Sequence, residues 1–279
     1  MSLARALAPY KARRFIASAL DDLRTLPARL SRSDGLSEPW SVMHNSGGGD
    51  YIARGEALFS HVDAVIGLGP QHRVLDIGCG GGALADALRR RGRPGEGAYT
   101  GFDPARGAIA QCRRRFSKLR ADFRFEWADI RNGDYAPRGA AAAEEYRFPC
   151  ADEAADRIFA GSVFTHLSAA ASRAYLAEIG RCLAEEGAAF VSFYILDATG
   201  RAALASGAAR AKFTTPALGG WALLPEAPEA AIAHEEANVL AWIEAAGLTI
   251  SQRLDGTWRS AEGSPTNQDV LALRRGRQT

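Results

Sequence analysis

A short apolar run that stops at a group of glycines restricts the fold of this chain more than any other feature. Val74, Leu75 and Ile77 are suited to a buried strand, and four glycines fall within residues 78–82. A helical spacing of leucines resumes at Leu84. The pattern predicts a strand, a glycine turn and the start of a helix. Such a turn lets a ligand lie against bare backbone, because glycine permits positive φ and the helix N-terminus offers unpaired N–H groups.

Two classes of cofactor-binding protein use a turn of this kind. Gly78, Gly80 and Ala83 fit the dinucleotide fingerprint, which is a weak pattern by itself. The more informative residue is Asp76, two positions before the first glycine. A carboxylate there would repel a pyrophosphate, whereas a cationic or hydroxyl-rich ligand would be attracted to it. The turn therefore favours a cofactor other than a dinucleotide.

These residues resemble the first motif of the class I S-adenosylmethionine-dependent methyltransferases, in which an acidic residue precedes Gly-x-Gly-x-Gly. Asp76, Gly78, Gly80 and Gly82 match that motif position for position. The resemblance covers roughly residues 74–273 and implies a methyltransferase of the small-molecule type. It implies S-adenosyl-L-methionine as the cofactor, with Cys79 inside the motif as a further contact.

Two more acids follow the next two predicted strands. Asp103 is placed to accept two hydrogen bonds from a ribose diol, and we expect it and the adjacent Pro104 to contact the cofactor. In the methyltransferases, an Asp at the place of Asp129 typically binds the adenine amino group, and an apolar neighbour such as Ile130 packs on the ring. Three acids at three successive strand ends are hard to obtain by chance. We therefore expect the cofactor to lie along this edge of the sheet.

The fourth predicted strand ends in a run that is similar to one found in small-molecule methyltransferases. This run, residues 162–167, reads Ser-Val-Phe-Thr-His-Leu, and the resemblance adds Ser162 and Val163 to the cofactor site. If the acceptor atom is a hydroxyl oxygen, His166 is a candidate for the base that removes its proton. The alternative is a histidine at a helix start that only hydrogen-bonds its neighbours. The Asn/Asp-Pro-Pro-Tyr signature of enzymes that methylate DNA bases or glutamine amides does not occur at this place.

A long segment near residues 197–229 fits no predicted strand. In class I methyltransferases a substrate cover is often inserted here, so we expect a lid at about residues 197–233, with an inert surface loop as the alternative. Six residues are weaker candidates for substrate contact, in the N-terminal segment and around this insertion: Trp40, His44, Asp50, Trp221, His234 and Glu235.

The whole pattern predicts an α/β fold, a Rossmann-like doubly wound sheet of seven strands with helices on both faces. The sheet is mostly parallel, and residues 248–254 and 270–273 predict a last pair that makes the final strand antiparallel. We expect residues 1–70 to form an N-terminal helical cap segment and residues 71–279 the methyltransferase domain.

Composition limits the partners. Thirty-four basic and 32 acidic residues leave a net charge of +2, so nucleic acid is not expected as a partner. The four cysteines are widely spaced, which indicates neither a metal site nor a disulfide framework and favours a cytoplasmic protein. No apolar run is long enough to span a bilayer. The basic N-terminal helix is expected to cap the domain, with peripheral membrane contact as the alternative. The oligomeric state stays open.

The sequence thus predicts methyl transfer from S-adenosylmethionine to a small-molecule acceptor at a hydroxyl oxygen. Two alternatives come from other classes of protein. One is a non-catalytic S-adenosylmethionine-binding or regulatory protein, which the sequence does not separate from an enzyme. The other is an NAD(P)-dependent oxidoreductase, which Asp76 and the antiparallel last strand pair disfavour.

Overall fold

A computed structural model describes residues 3–31, 38–44, 50–93, 98–133, 135–259 and 266–276 of the 279-residue chain. The helices are α1 (Leu3–Leu30), α2 (Ser41–His44), α3 (Tyr51–Ile66), α4 (Ala83–Arg90), α5 (Arg106–Leu119), α6 (Ala169–Cys182), α7 (Ala198–Ser206) and α8 (Glu236–Ala245). The strands are β1 (Val74–Ile77), β2 (Tyr99–Asp103), β3 (Phe123–Trp127), β4 (Ala155–Ala160), β5 (Leu183–Phe193), β6 (Ile195–Leu196), β7 (Thr215–Ala217), β8 (Gly220–Ala222), β9 (Ile232–Glu235), β10 (Leu248–Leu254) and β11 (Asp269–Arg275).

The main sheet has seven strands in the order β10-β11-β5-β4-β1-β2-β3. Strands β1 to β5 pair in parallel, and β11 runs antiparallel to both β5 and β10. All four residues of β1 are buried, as expected of a central strand covered on both faces. The predicted doubly wound sheet with an antiparallel final strand is confirmed. In this order β1 lies beside β4, so the carboxyl ends of β1, β2 and β4 face one common crevice.

Two apolar clusters cover the two faces of this sheet. On one face, α6 and α8 contribute Leu176 and Val239 to a cluster that includes Ile77 of β1. On the other face, α3 and α4 contribute Phe59 and Leu84 to a second cluster. Helix α3 therefore belongs to the packed core, although it lies before residue 70. The division of the chain at that residue stays a prediction.

The segment that was expected to lack strands forms part of a second sheet, in the order β6-β9-β8-β7. The prediction was wrong because β7 and β8 are three residues each and are joined through Leu218 and Gly219, which leaves too little sequence for a period of two. His234 and Glu235 lie in β9, which pairs in parallel with β6, and Glu235 is also the N-cap residue of α8.

Asp269, at the start of β11, links the two sheets. Its fully buried carboxylate accepts hydrogen bonds from the backbone N–H of Ile195 at 2.8 Å and from Nε1 of Trp258 at 2.9 Å. It also accepts one from Gly256 N at 2.8 Å and forms an ion pair with Arg259 at 2.6 Å. A carboxylate with this many donors is stable in the interior, because a buried charge needs hydrogen-bonded partners.

Helix α1 is attached to the segment that follows it by charged side chains. Asp22 accepts hydrogen bonds from the backbone of Ser41 and Val42 at 2.7 and 3.1 Å. Arg29 donates to the carbonyls of residues 38 and 39 and stacks on Trp40, with 4.4 Å between the guanidinium carbon and the ring centroid. None of the helices in the described part of the chain is long and apolar enough to cross a membrane.

Candidate active site

The glycine turn closes against the end of β2. Gly78 and Cys79 both donate backbone hydrogen bonds to the carbonyl of Phe102, at 2.9 and 3.1 Å. Gly78, Gly80 and Gly82 all have positive φ, of +71°, +51° and +75°. At Gly78 a Cβ would lie only 2.7 Å from a methyl group of Val163. Glycine is therefore required here both by backbone conformation and by the close approach of the fourth strand end.

Asp103 holds this turn from the end of β2. One carboxylate oxygen accepts the backbone N–H of Gly80 at 2.9 Å, and the other accepts that of Ala105 at 2.7 Å. Burial raises the pKa of Asp103, and the two backbone hydrogen bonds oppose that rise. Each oxygen keeps a second lone pair for a ligand hydroxyl. The predicted ribose acid thus also fixes the turn that it faces.

Asp76, in β1, is a buried carboxyl whose two oxygens differ in their hydrogen-bond partners. Its Oδ2 accepts a 2.5 Å hydrogen bond from the hydroxyl of Tyr99, whereas the buried Oδ1 has no partner in the described part of the chain. Burial raises the pKa of Asp76 to about 7, the Tyr99 hydrogen bond lowers it, and the nearby charge of Asp103 raises it further. A buried carboxylate oxygen without a donor is costly unless a ligand supplies one. This oxygen is suited to a cationic group.

A buried network of hydrogen bonds and an ion pair supports the glycine turn, and sequence analysis did not predict it. The hydroxyl of Tyr51 lies 2.8 Å from the carbonyl of Gly82 and 3.0 Å from that of Gly81, and it accepts a hydrogen bond from Arg115 at 3.0 Å. Arg115 in turn pairs with the buried Asp86 at 3.1 Å. Burial raises the pKa of Tyr51, so its phenol keeps the proton that it donates to the turn. The first residue of α3 is thereby tied to the cofactor motif.

His166 lies in a short turn after β4, and residues of two segments contact its ring. Its Nδ1 is 2.8 Å from the carbonyl oxygen of Glu229, and its Nε2 is 3.4 Å from the hydroxyl of Tyr135. Asn132 donates to the His166 carbonyl at 3.1 Å. Because a carbonyl only accepts, Nδ1 must carry a proton. Nε2 is then the nitrogen that gains and loses a proton, as a general base requires.

One cavity of about 1000 Å³ joins these groups. Nine of the residues predicted to bind the cofactor line it, together with the candidate base: Asp76, Gly78, Cys79, Gly80, Asp103, Pro104, Ile130, Ser162, Val163 and His166. The strand ends that were separated in sequence thus meet at one crevice, as the parallel order of β1, β2 and β4 requires.

Two predicted cofactor residues do not line the cavity. The Cα of Gly82 faces the core, because an added Cβ would lie 3.1 Å from the sulfur of Cys112 and from the ring of Phe116. Asp129 accepts a hydrogen bond from the backbone N–H of Ala140 at 3.2 Å, so its carboxylate is engaged with the returning loop. The neighbouring Ile130 does line the cavity.

None of the described residues among the weaker substrate candidates lines the cavity. Trp40 stacks on Arg29, and Asp50 caps α3 by accepting the N–H of Ala53 at 2.8 Å. Trp221 donates to Glu235 at 2.6 Å on the second sheet. His234 is fully buried 3.4 Å from Ser172, and burial lowers its pKa to about 4. The side chain of His44 lies outside the described residues.

Three polar groups at the edges of β4, β5 and β11 complete the cavity wall, and sequence analysis identified only the first. Ser162 adopts a left-handed backbone with φ +58°, which is uncommon for a residue with a Cβ. Its N–H donates to Ser192 Oγ at 2.7 Å, and that hydroxyl donates to Gln268 at 2.7 Å. All three line the cavity. Nothing in the local sequence marked Ser192 or Gln268, because their proximity depends on strand order.

Comparison with known proteins bears directly on this site. Residues 74–187 match the model of a family described as a methyltransferase domain, a range that contains the glycine turn, Asp103 and His166. This range, 114 of the 279 residues, contains a methyltransferase domain, and S-adenosylmethionine is the cofactor of that domain.

Solved structures of low sequence identity share the fold of this chain. The PH0226 protein of Pyrococcus horikoshii is 15% identical with a TM-score of 0.54, over 85% of this chain and 96% of that one. The [4+2]-cyclase SpnF is 15% identical with a TM-score of 0.53, over 80% of this chain and 81% of that one. The mitomycin 7-O-methyltransferase MmcR is 14% identical with a TM-score of 0.52, over 85% of this chain and 57% of that one. At these identities the likeness shows the fold alone.

The residues of the site fit this cofactor. The unpartnered Oδ1 of Asp76 is suited to the cationic amino group, and the second lone pairs of Asp103 are suited to the ribose diol. Ile130 offers an apolar surface for the adenine ring. The bare backbone of Gly78 leaves room for close approach. These four residues would hold the cofactor.

Proposed function

We propose that this methyltransferase transfers a methyl group from S-adenosylmethionine to a hydroxyl oxygen of a small-molecule acceptor. The observation that carries the proposal is the extent of the cavity, which continues past Asp76 and Asp103 to His166 on one side and to α3 on the other. Its volume of about 1000 Å³ is at the upper end of the range for small-molecule sites, so it has space for an acceptor beside the cofactor.

The chain's own residues supply position and proton transfer. When bound, the cofactor supplies an electrophilic methyl group on a positively charged sulfur. Asp76 and Asp103 would hold two separate parts of the cofactor and so fix its orientation, which is the main requirement of an in-line displacement. Nε2 of His166 accepts the proton of the acceptor hydroxyl, while Glu229 holds the opposite nitrogen protonated.

The insertion at residues 197–233 is proposed to act as a lid over the His166 side of the cavity. Glu229, in a short helical turn at 228–230, contacts two separate elements of the site. Its carbonyl accepts Nδ1 of His166, and its carboxylate accepts the backbone N–H of Gly133. An inert surface loop would not need these contacts. Opening this segment would break both contacts and expose His166.

The proposed acceptor is a small molecule rather than nucleic acid, because the formal net charge is only +2. The proposal includes action in the cytoplasm. All four cysteines are free thiols, which suits a reducing compartment.

Calorimetric titration of the purified protein with S-adenosylmethionine, S-adenosylhomocysteine and NAD tests the cofactor. We expect both adenosyl ligands to bind, NAD not to bind, and Asp103→Ala to weaken binding. Mass spectrometry of mixtures with hydroxylated small molecules then tests transfer, which adds one methyl group to the acceptor. Binding of the adenosyl ligands without turnover on hydroxyl, amine or carbon acceptors would favour the non-catalytic alternative. Binding of NAD alone would overturn the cofactor assignment.

A further inference from the structure

Helix α3 also lines the cavity. One face of the helix, which includes Phe59 and Val62, is buried against α4 and the sheet. Ala57, Leu58 and Ala64 line the cavity, and Leu58 also packs against the apolar cluster beneath the helix. Ala57 and Ala64 are seven residues apart, which places them on one side of the helix. The cavity therefore has a branch that runs along α3.

The opposite wall of this branch is apolar and comes from the main sheet. Phe159 of β4, Phe190 of β5 and Val270 of β11 all line the cavity. Each belongs to the apolar cluster beneath α3. A branch with hydrocarbon on both walls favours an apolar occupant, because apolar surface gains free energy when it leaves water.

His61 is one of the polar residues of α3 that line the cavity, with Arg54 and Ser60. The His61 ring makes an edge contact with Phe190 at 5.3 Å between centroids. Its Nε2 is shielded from solvent and has no hydrogen-bond partner in the described part of the chain. Burial also lowers the pKa of His61, so the ring is neutral near pH 7. An unsatisfied buried nitrogen of this kind is uncommon and calls for a ligand or a water.

We propose that the branch between α3 and strands β4, β5 and β11 binds the hydrocarbon body of the methyl acceptor, with His61 Nε2 hydrogen-bonded to an oxygen on that body. The acceptor class is therefore a hydroxylated apolar molecule of the aromatic or polyketide kind. A hydroxyl satisfies Nε2 in either tautomer of the neutral ring, because it both donates and accepts. The inference rests on the proposed function, and His61 is a specificity residue while His166 remains the base.

The test uses 2-naphthol as the probe and naphthalene as its matched analogue without a hydroxyl. Both are titrated by calorimetry into the full chain saturated with S-adenosylhomocysteine. We expect His61→Phe to lower the affinity for 2-naphthol roughly three- to tenfold, as for the loss of one neutral hydrogen bond. The affinity for naphthalene should not change. His61→Gln, whose amide nitrogen can replace Nε2, should restore part of the loss.

A second readout reports the position of the probe. The chain has five histidines, so NMR of protein labelled at histidine Cε1 gives few signals, and the one lost in His61→Phe is that of His61. We expect 2-naphthol to shift the His61 signal. Ala64→Trp should fill the branch and abolish binding of both probes. Ala53→Trp, also on α3 but not among the lining residues, should bind both normally.

Three results would overturn the inference. The first is that wild type and His61→Phe bind 2-naphthol with equal affinity. The second is that the NMR signal of His61 does not shift when the probe is bound. The third is that neither probe binds to a protein that binds S-adenosylhomocysteine. Failure of S-adenosylhomocysteine itself to bind would instead overturn the proposed function. In that case the same titrations with the free protein test whether the branch binds the two probes.

Discussion

Asp103 Oδ2 accepts a hydrogen bond from the backbone N–H of Gly80 at 2.9 Å, although 23 residues separate the two in sequence. The bond fixes the middle of the glycine turn to the end of β2. The other oxygen of Asp103 accepts the N–H of Ala105 at 2.7 Å. Both oxygens therefore act as acceptors before any ligand arrives, and the site is organised in advance.

Replacing this carboxylate by an amide should weaken cofactor binding. In Asp103→Asn, the amide N–H₂ must face either Gly80 N–H or Ala105 N–H, which places a donor against a donor. We expect S-adenosylhomocysteine affinity to fall roughly 10- to 100-fold, since hydrogen bonds to charged groups contribute about 1.5–3 kcal/mol. Calorimetry measures this. The control is Asp152→Asn, an exposed acid paired with Arg181, for which unchanged affinity is expected. Equal affinities in the two variants would contradict the proposed role of Asp103.

The raised pKa of Asp76 should appear in stability as a function of pH. Burial moves this pKa from 3.8 to about 7, so the folded state holds a proton that the unfolded state has released. The stabilisation is complete below about pH 4 and is lost as pH rises through 7, by an amount on the order of 4 kcal/mol. Urea unfolding between pH 4 and 8 should therefore show that the free energy of unfolding of wild type declines relative to that of Asp76→Asn as the pH rises. A constant difference between the two proteins would contradict this prediction.

The same carboxyl should release a proton when a cationic ligand binds. Below pH 7 Asp76 is mostly protonated in the free protein, and a positive charge beside Oδ1 favours its ionised form. At pH 6 we expect S-adenosylmethionine to release close to one proton more from wild type than from Asp76→Asn. Calorimetry in two buffers of different ionisation enthalpy measures this difference. If both proteins release the same number, Asp76 does not face the cation.

His166→Ala should slow transfer to a hydroxyl acceptor without affecting the cofactor. Loss of a general base costs roughly 10²- to 10⁴-fold in rate, whereas S-adenosylhomocysteine affinity should stay within about twofold. Single-turnover rates against pH measure the effect. Wild-type rates should fall as Nε2 becomes protonated at low pH, and the variant should lack that dependence. His72→Ala, which does not line the cavity, serves as the control. Full activity in His166→Ala would exclude it as the base.

Arg259→Leu should strongly destabilise the link between the two sheets. It leaves the fully buried Asp269 without its cation, and breaking one side of a buried pair costs about 3–5 kcal/mol. Arg147→Leu removes a surface ion pair with Asp152 and should cost about 0–1 kcal/mol. Urea denaturation of both variants measures the difference. Similar stability of the two variants would show that the buried pair has no special role.

Residues near the glycine turn were predictable because their roles are local. A glycine turn after a buried strand selects its own conformation, and an acid at a strand end lies at the crevice in any parallel sheet. Asp76 and Asp103 line the cavity for these reasons. Asp129 had the same sequence signature, yet its carboxylate accepts a backbone hydrogen bond from the loop at Ala140. The path of that loop is not visible in the residues around Asp129.

The short strands of the second sheet show a different limit on prediction from sequence. β7 and β8 of three residues each carry no periodic signal, and their pairing is stabilised by contacts with β9. His234, in β9, was a candidate for substrate contact because it follows the expected lid. Its neighbours are Ser172, Phe193 and Trp242, which the fold brings together from distant parts of the chain.

By itself the sequence determined the doubly wound sheet, the glycine turn and two of the acids that line the cavity. Each depends on contacts within a few residues or on a rule that holds for every parallel sheet. Only the tertiary structure decided the support of the turn by Tyr51 and Arg115, the fixed tautomer of His166 and the apolar branch beside His61. These depend on how α3, the insertion and β11 pack against one another, and packing joins residues that no local pattern relates.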